Sequence, residues 1–199
     1  IRLGEIADVL IAHFRQKEEI TVYVGSNAAT PTASLEALTA AVKERRPGLP
    51  FLKMVHLLLQ GPVPYVEPGL QDRVMTYSIF STGEVRTAAN EGRAYYLPCT
   101  LANLDSLIGK GRRFEPDAVL FKVSRNPFTG EYSMGLSVEA LHTAVDNARV
   151  VIAELDPTMP FTEGQSVVDA SSIDYLIRDG VKPVHEIPAP DFDHLPAAE

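Results

Sequence analysis

The stretch Gly25-Ser26-Asn27-Ala28-Ala29-Thr30-Pro31-Thr32 sets small and polar side chains between an apolar run and an amphipathic one. Such a loop suits a ligand. Small side chains let it approach the backbone, and the N-terminus of a following helix offers free N–H groups to an anion. In an open α/β sheet, ligands sit beyond the carboxyl ends of strands, where this loop would fall. The spacing is neither G-x-G-x-x-G nor a P-loop, so no particular nucleotide chemistry follows. A plain structural role fits equally, with Asn27 as a turn residue and Thr30 as a helix cap.

Other reactive residue types give less. Arg86, Arg93, Lys110, Arg112 and Arg113 carry groups that pair with phosphate or carboxylate, although the 110–113 run reads first as a solvated surface. His56 lies in an apolar run and His13 near the end of an amphipathic one. Neither has a second ligand at metal spacing, which disfavours zinc. No G-x-S-x-G elbow occurs. Glu84, Glu91, Glu131, Glu154 and Glu163 include carboxylates fit for a base or nucleophile, and nothing in their spacing selects one. Cys99 is the single cysteine, so neither an internal disulfide nor a multi-cysteine metal site can form. A reducing cytoplasm is the compartment expected.

The elements that would position these residues alternate. Leu3, Ile6, Ala7, Leu10, Ile11 and Phe14 share one face of a helix. Apolar, β-branched runs at 20–24, 51–59, 74–80, 94–97, 118–123 and 150–155 read as strands. Helical stripes lie at 35–42, 84–91 (ended by Gly92), 101–108 and 137–148. This alternation predicts an α/β fold with a mostly parallel sheet and helices on both faces. Residues 1–182 read as one domain and 183–199 as a Pro-rich, acidic tail or linker.

At 199 residues, 45% hydrophobic and 22% charged, the chain is long enough for a sizeable core. Its net charge of −8 would repel phosphates globally, which disfavours nucleic acid as a partner. No apolar run is long enough to span a membrane, and no signal peptide is read at the start. The first residue is Ile1 rather than Met, which fits a processed protein or a piece of a longer one.

Four stretches taken in order carry a resemblance: 56–65 (HLLLQGPVPY), 85–98 (VRTAANEGRAYYLP), 133–138 (SMGLSV) and 151–160 (VIAELDPTMP). Together they resemble the amino-terminal half of the acetyl-CoA hydrolase/transferase family, over about residues 20–188. The resemblance implies a NagB/RpiA/CoA-transferase-like fold, in which two α/β halves face each other across the active site. It implies acyl transfer between coenzyme A and a small carboxylic acid, or hydrolysis of the acyl-CoA. The family uses a glutamate nucleophile that forms an acyl anhydride and then a glutamyl-CoA thioester. That glutamate belongs to the carboxyl-terminal half, and no position here matches it, so no residue of this chain is assigned a catalytic role.

What transfers by position is one wall of the acyl and carboxylate pocket: Gly25, Ser26, Asn27, Ala28, Thr30 and Pro31, together with Ser133 and Gly135. The acyl-CoA enters as substrate, with no metal and no tightly bound cofactor expected. The expected partners are a carboxyl-terminal domain or subunit and further copies of the chain. Asp156 departs from the family's usual asparagine, and Arg125-Asn126-Pro127 from its usual Pro-Pro-Asp. Two other readings stay open: a non-catalytic acyl-CoA-binding or regulatory module of the same fold, and a self-sufficient nucleotide-binding protein.

Overall fold

The computed structural model describes residues 1–188. After a short 3₁₀ turn comes α1 (Ile6–His13), then β1 (Glu19–Val24), α2 (Thr32–Lys43), β2 (Phe51–His56) and β3 (Val74–Ser78). Next are α3 (Gly83–Asn90), β4 (Ala94–Tyr96), α4 (Leu104–Ile108), β5 (Ala118–Arg125) and β6 (Tyr132–Ser133). The last are α5 (Leu141–Asn147), β7 (Val150–Leu155), β8 (Val167–Val168) and β9 (Tyr175–Ile177). β1 pairs in parallel with β2 and β5; β2 pairs with β3, β3 with β4, β5 with β7, and β7 with β9, all parallel. β6 and β8 add a short antiparallel extension at the end of β5.

Alternate residues of each strand feed two cores. Ile20, Val22, Val24, Leu120 and Ile152 pack with α1, α2 and α3 on one face. Tyr23, Val119, Phe121, Val151 and Ala153 pack with α4 and α5 on the other. This double burial explains the near-continuous apolar runs of β1, β5 and β7. The expected fold class is therefore the observed one.

Element boundaries differ in instructive places. The strand expected over 51–59 ends at His56, because residues 57–59 bend to meet the 25–32 loop, with an isolated bridge between Asn27 and Leu59. The helix expected over 137–148 is confined to Leu141–Asn147. Before it, Glu139 has φ 29° and Leu141 N–H bonds the Val138 carbonyl, a turn instead of a helical start. β6, β8 and β9 are two or three residues long, too short for any periodicity to declare.

Within the proposed tail, His185 N–H donates to the Ala28 carbonyl at 2.8 Å, and the His185 ring bonds Thr32 Oγ1 through Nε2 at 2.7 Å. The rest of that tail, 189–199, lies outside the described residues. Among the described residues, no helix is long and apolar enough to cross a membrane.

Candidate functional site

From β1 the chain steps outward through β2, β3 and β4; β5, β7 and β9 then extend the sheet from the other edge of β1. The strand order reverses between β1 and β5. Open α/β sheets bind ligands in the crevice outside the carboxyl ends of the strands at such a reversal. The 25–32 loop leaves β1 there. Gly25 N–H donates to the Leu120 carbonyl at 2.8 Å. A Cβ on Gly25 would lie 3.0 Å from Phe121 Cβ and 3.3 Å from Phe121 Cα, so only glycine lets the loop cross β5 this closely.

Most of the loop's polar groups are spent on its own shape. Ser26 Oγ donates to the Val24 carbonyl at 3.3 Å and accepts Leu57 N–H at 3.1 Å. Thr30 Oγ1 donates to the Asn27 carbonyl at 2.8 Å and accepts Gln60 N–H at 3.0 Å. Asn27 N–H donates to Leu58 O at 2.7 Å. Asn27 holds the left-handed φ of 54° that asparagine tolerates better than most residues. Gly25, Ser26, Thr30 and Pro31 are buried; Asn27 and Ala28 are only half-buried and form the loop's outer edge.

Ser133 and Gly135 are brought to the adjoining end of β5 through β6. Both are buried. Ser133 Oγ donates to the Thr162 carbonyl at 2.8 Å and accepts Gly135 N–H at 3.1 Å. Gly135 has φ 63°, and a Cβ there would meet Met159 at 2.7 Å.

Two groups that the sequence did not single out dominate the local electrostatics. The first is Lys122 on β5, whose Nζ lies 3.0 Å from Asp156 Oδ2 and 3.9 Å from Glu154 Oε2, all three side chains buried. Lys122 also donates to the Lys182 carbonyl. Asp156 thus has a buried cation as its partner. Burial works against the Asp156 charge, but hydrogen bonds from Thr158 and Lys122 outweigh it and hold the carboxyl below its ordinary range. Glu154 Oε1 accepts Ser34 N–H in the first turn of α2 at 2.6 Å. An internal carboxylate therefore occupies an N–H that the sequence reading left free for a ligand anion. Burial pushes the Glu154 carboxyl up.

The second group is Glu139. Asn27 Nδ2 donates to its Oε1 at 2.9 Å, while Oε2 is buried and has no hydrogen-bond partner among the described residues. Burial pushes the Glu139 carboxyl up to about 7. The buried Tyr23 hydroxyl also lacks a partner among the described residues, and burial, with the charges of Glu139 and Asp105, pushes its pKa up.

Beside the loop, a cleft of about 690 Å³ is lined by Leu58, Phe80, Ser81, Thr82, Arg86 and Tyr96. It adjoins the loop through Leu58, whose carbonyl accepts Asn27 N–H. His56 is fully buried, and burial pushes its pKa down to about 3, so it is neutral at physiological pH. His13 at the end of α1 bonds Tyr175 Oη at 2.7 Å, far along the chain from the loop. Arg93 is spent on the Val66 carbonyl and Glu91. Among the described residues, no group of three or more His, Cys, Asp or Glu is placed to hold a metal ion.

A mostly parallel sheet covered on both faces, with a small-residue loop at its order reversal, defines an open, doubly wound α/β domain. The fold superposes on RipA from Yersinia pestis with a TM-score of 0.79 at 19% identity, over 96% of this chain and 44% of that one. It superposes on 4-hydroxybutyrate CoA-transferase from Porphyromonas gingivalis with a TM-score of 0.68 at 20% identity, over 94% of this chain and 40% of that one. Residues 6–188 match the acetyl-CoA hydrolase/transferase N-terminal domain, and the chain belongs to that family.

Among curated relatives, 4-hydroxybutyrate coenzyme A transferase of Clostridium kluyveri is 34% identical over 147 residues, 74% of this chain. Succinyl-CoA:acetate/propanoyl-CoA:succinate CoA transferase of Fasciola hepatica is 29% identical over 171 residues, 86% of this chain. The chain spans 34% of the length of each.

Proposed function

We propose that this chain is the amino-terminal half of an acyl-CoA:carboxylate CoA-transferase or acyl-CoA hydrolase. Its 25–32 loop, with Ser133 and Gly135 behind it, forms one wall of the acyl and carboxylate pocket. The single observation that carries this reading is the loop's position at the order reversal of a sheet whose family acts on acyl-CoA. The buried members, Gly25, Ser26, Thr30, Pro31, Ser133 and Gly135, hold the wall's shape. Asn27 and Ala28 meet the ligand. Coenzyme A arrives as the thioester substrate, and a small carboxylic acid or water receives the acyl chemistry.

The covalent carboxylate comes from a second half. Within this chain Glu154 and Asp156 are committed to Ser34, Lys122 and Thr158. A carboxylate acts as a nucleophile when it is desolvated and free to attack, with donors aimed at the developing oxyanion. The chain by itself is therefore inactive in transfer. The same commitment favours a second reading, a non-catalytic acyl-CoA-binding module of this fold.

The test is to read the coding sequence beyond Glu199, express the whole product, and incubate it with acetyl-CoA and butyrate. Appearance of butyryl-CoA supports a transferase. Release of free coenzyme A without butyryl-CoA supports a hydrolase. An unchanged thioester that nonetheless binds the protein supports the second reading, and no binding overturns both.

A further inference from the structure

Glu139 is bound into the loop in a way that ordinary surface glutamates are not. Its Oε1 accepts the Asn27 amide at 2.9 Å across a sequence separation of 112 residues. Both ends of that bond sit on left-handed backbone, φ 54° at Asn27 and 29° at Glu139. Such conformations at non-glycine residues persist only where surrounding structure holds them, and they cluster at sites. Its second oxygen is buried with no partner among the described residues, so the carboxyl bears a desolvation cost that this contact does not fully offset.

We propose that Glu139 is a positioning residue of the ligand loop: through Asn27 Nδ2 it holds the left-handed turn at residue 27, and with it the half-buried edge that meets the substrate. This rests on the reading of the loop as a pocket wall. Burial favours the neutral acid and pushes the carboxyl up to about 7, although the Asn27 bond taken alone favours the ionised form and offsets part of that rise.

Among the described residues, no cation pairs with the ionised form. Asn27 faces Glu139 from the loop, Tyr23 approaches from β1, and Asp105 on α4 adds a further negative charge near Tyr23. Lys122 faces the opposite core, on the alternate residues of β5 from Phe121 and Val123, which pack on the Tyr23 side. Ionisation thus leaves a buried charge with a single amide donor, and the carboxylate gains by leaving for water. The loop edge is then released.

The experiment is amide hydrogen exchange on the chain as it stands, at pH 6 and pH 8, corrected for the intrinsic rate. The reporters are Asn27 and Thr30 N–H, which bond Leu58 O and Asn27 O. Val22 and Val24 in β1 are the control for an intact fold. In the parent chain, protection at Asn27 and Thr30 falls about tenfold between the two pH values, as the ionised fraction passes from roughly one in ten to nine in ten. Glu139→Gln keeps an acceptor for Asn27 and cannot ionise, so it stays protected at both pH values. Glu139→Ala is unprotected at both while β1 stays protected.

The proposal is overturned if the parent chain shows no pH dependence, or if Glu139→Ala keeps the loop protected. A melted β1 in Glu139→Ala leaves the decision to Glu139→Gln: pH-dependent loss there also overturns it. None of these outcomes needs acyl transfer. A whole product that neither transfers to butyrate, nor hydrolyses acetyl-CoA, nor binds it would sink the functional reading and leave the loop result standing.

Discussion

Replacing Asp156 with asparagine should destabilise this chain. Asp156 Oδ2 lies 3.0 Å from Lys122 Nζ, and the two side chains are 2% and 0% exposed. Removing one partner of a buried pair costs about 3–5 kcal/mol, because the other charge stays behind uncompensated. Two things temper that here. Lys122 keeps the Lys182 carbonyl, and Glu154 Oε2 stands 3.9 Å away. The Glu154 carboxyl is raised by burial first and by the Asp156 charge last, so the substitution also removes a brake on its ionisation.

A loss of about 2–3 kcal/mol is expected for Asp156→Asn. At about 2–4 °C per kcal/mol for a chain of this size, Tm falls by roughly 4–12 °C. Urea unfolding and thermal melting, followed by circular dichroism at pH 7, measure both. The double variant Lys122→Met with Asp156→Asn should recover most of the loss, since an apolar replacement of a buried pair is near neutral. A single variant within about 0.5 kcal/mol of the parent refutes the reasoning, as does a double variant no better than the single.

Glu139 makes stability depend on pH in the direction opposite to a salt-bridged carboxylate. Its carboxyl moves from 4.5 up to about 7, so the folded chain keeps a proton that the unfolded chain releases. That stability is fully present below 4.5, is lost as pH rises to 7 and stays lost above; Glu139→Gln should flatten a loss of up to about 3 kcal/mol in urea titrations across this range. The chain alone, mixed with acetyl-CoA and butyrate, should give no butyryl-CoA and no hydroxylamine-trapped adduct on any glutamate; turnover would contradict the assignment of the nucleophile to a second half. In the whole product, Ala28→Phe should impair turnover while changing Tm little, because Ala28 lies half-exposed at the loop's edge. Asn27→Ala should cost about 1–3 kcal/mol in kcat/KM if a buried ligand group loses its partner. A sharp drop in Tm for Ala28→Phe, or unchanged kinetics for both, would make the loop purely structural.

The parallel sheet was legible because burial on both faces leaves little choice of side chain. Runs such as 118–123 and 150–155 are apolar at nearly every position, and they form β5 and β7. The loop was legible from its small residues, and glycine at 25 has the physical reason that β5 passes within 3.0 Å of a would-be Cβ. The charged interior was not legible. Lys122 lies inside the apolar run of β5 and Asp156 just past β7, and neither residue alone names the other. Glu139 could not be found from periodicity. It falls within the helical stripe over 137–148, and only tertiary contact with a residue 112 positions away turns it inward. β9 likewise takes its place from β7, not from its own three residues.

The neighbours of β1 have a consequence for the order in which the chain can be built. β2, β3 and β4 emerge from the ribosome soon after β1 and can lay down half of the sheet by short crossovers through α2 and α3. The other edge of β1 waits for β5, which begins only at Ala118. Until then a row of backbone donors and acceptors on Ile20 to Val24, flanked by apolar side chains, stands unpaired in the nascent chain. Such an edge is a template for association between chains, and parallel pairings of high sequence separation are slow to close. The strand that later anchors the 25–32 loop is therefore the one most exposed to mispairing during synthesis, and substitutions that weaken β5 should lower soluble yield before they change the properties of the protein that does fold.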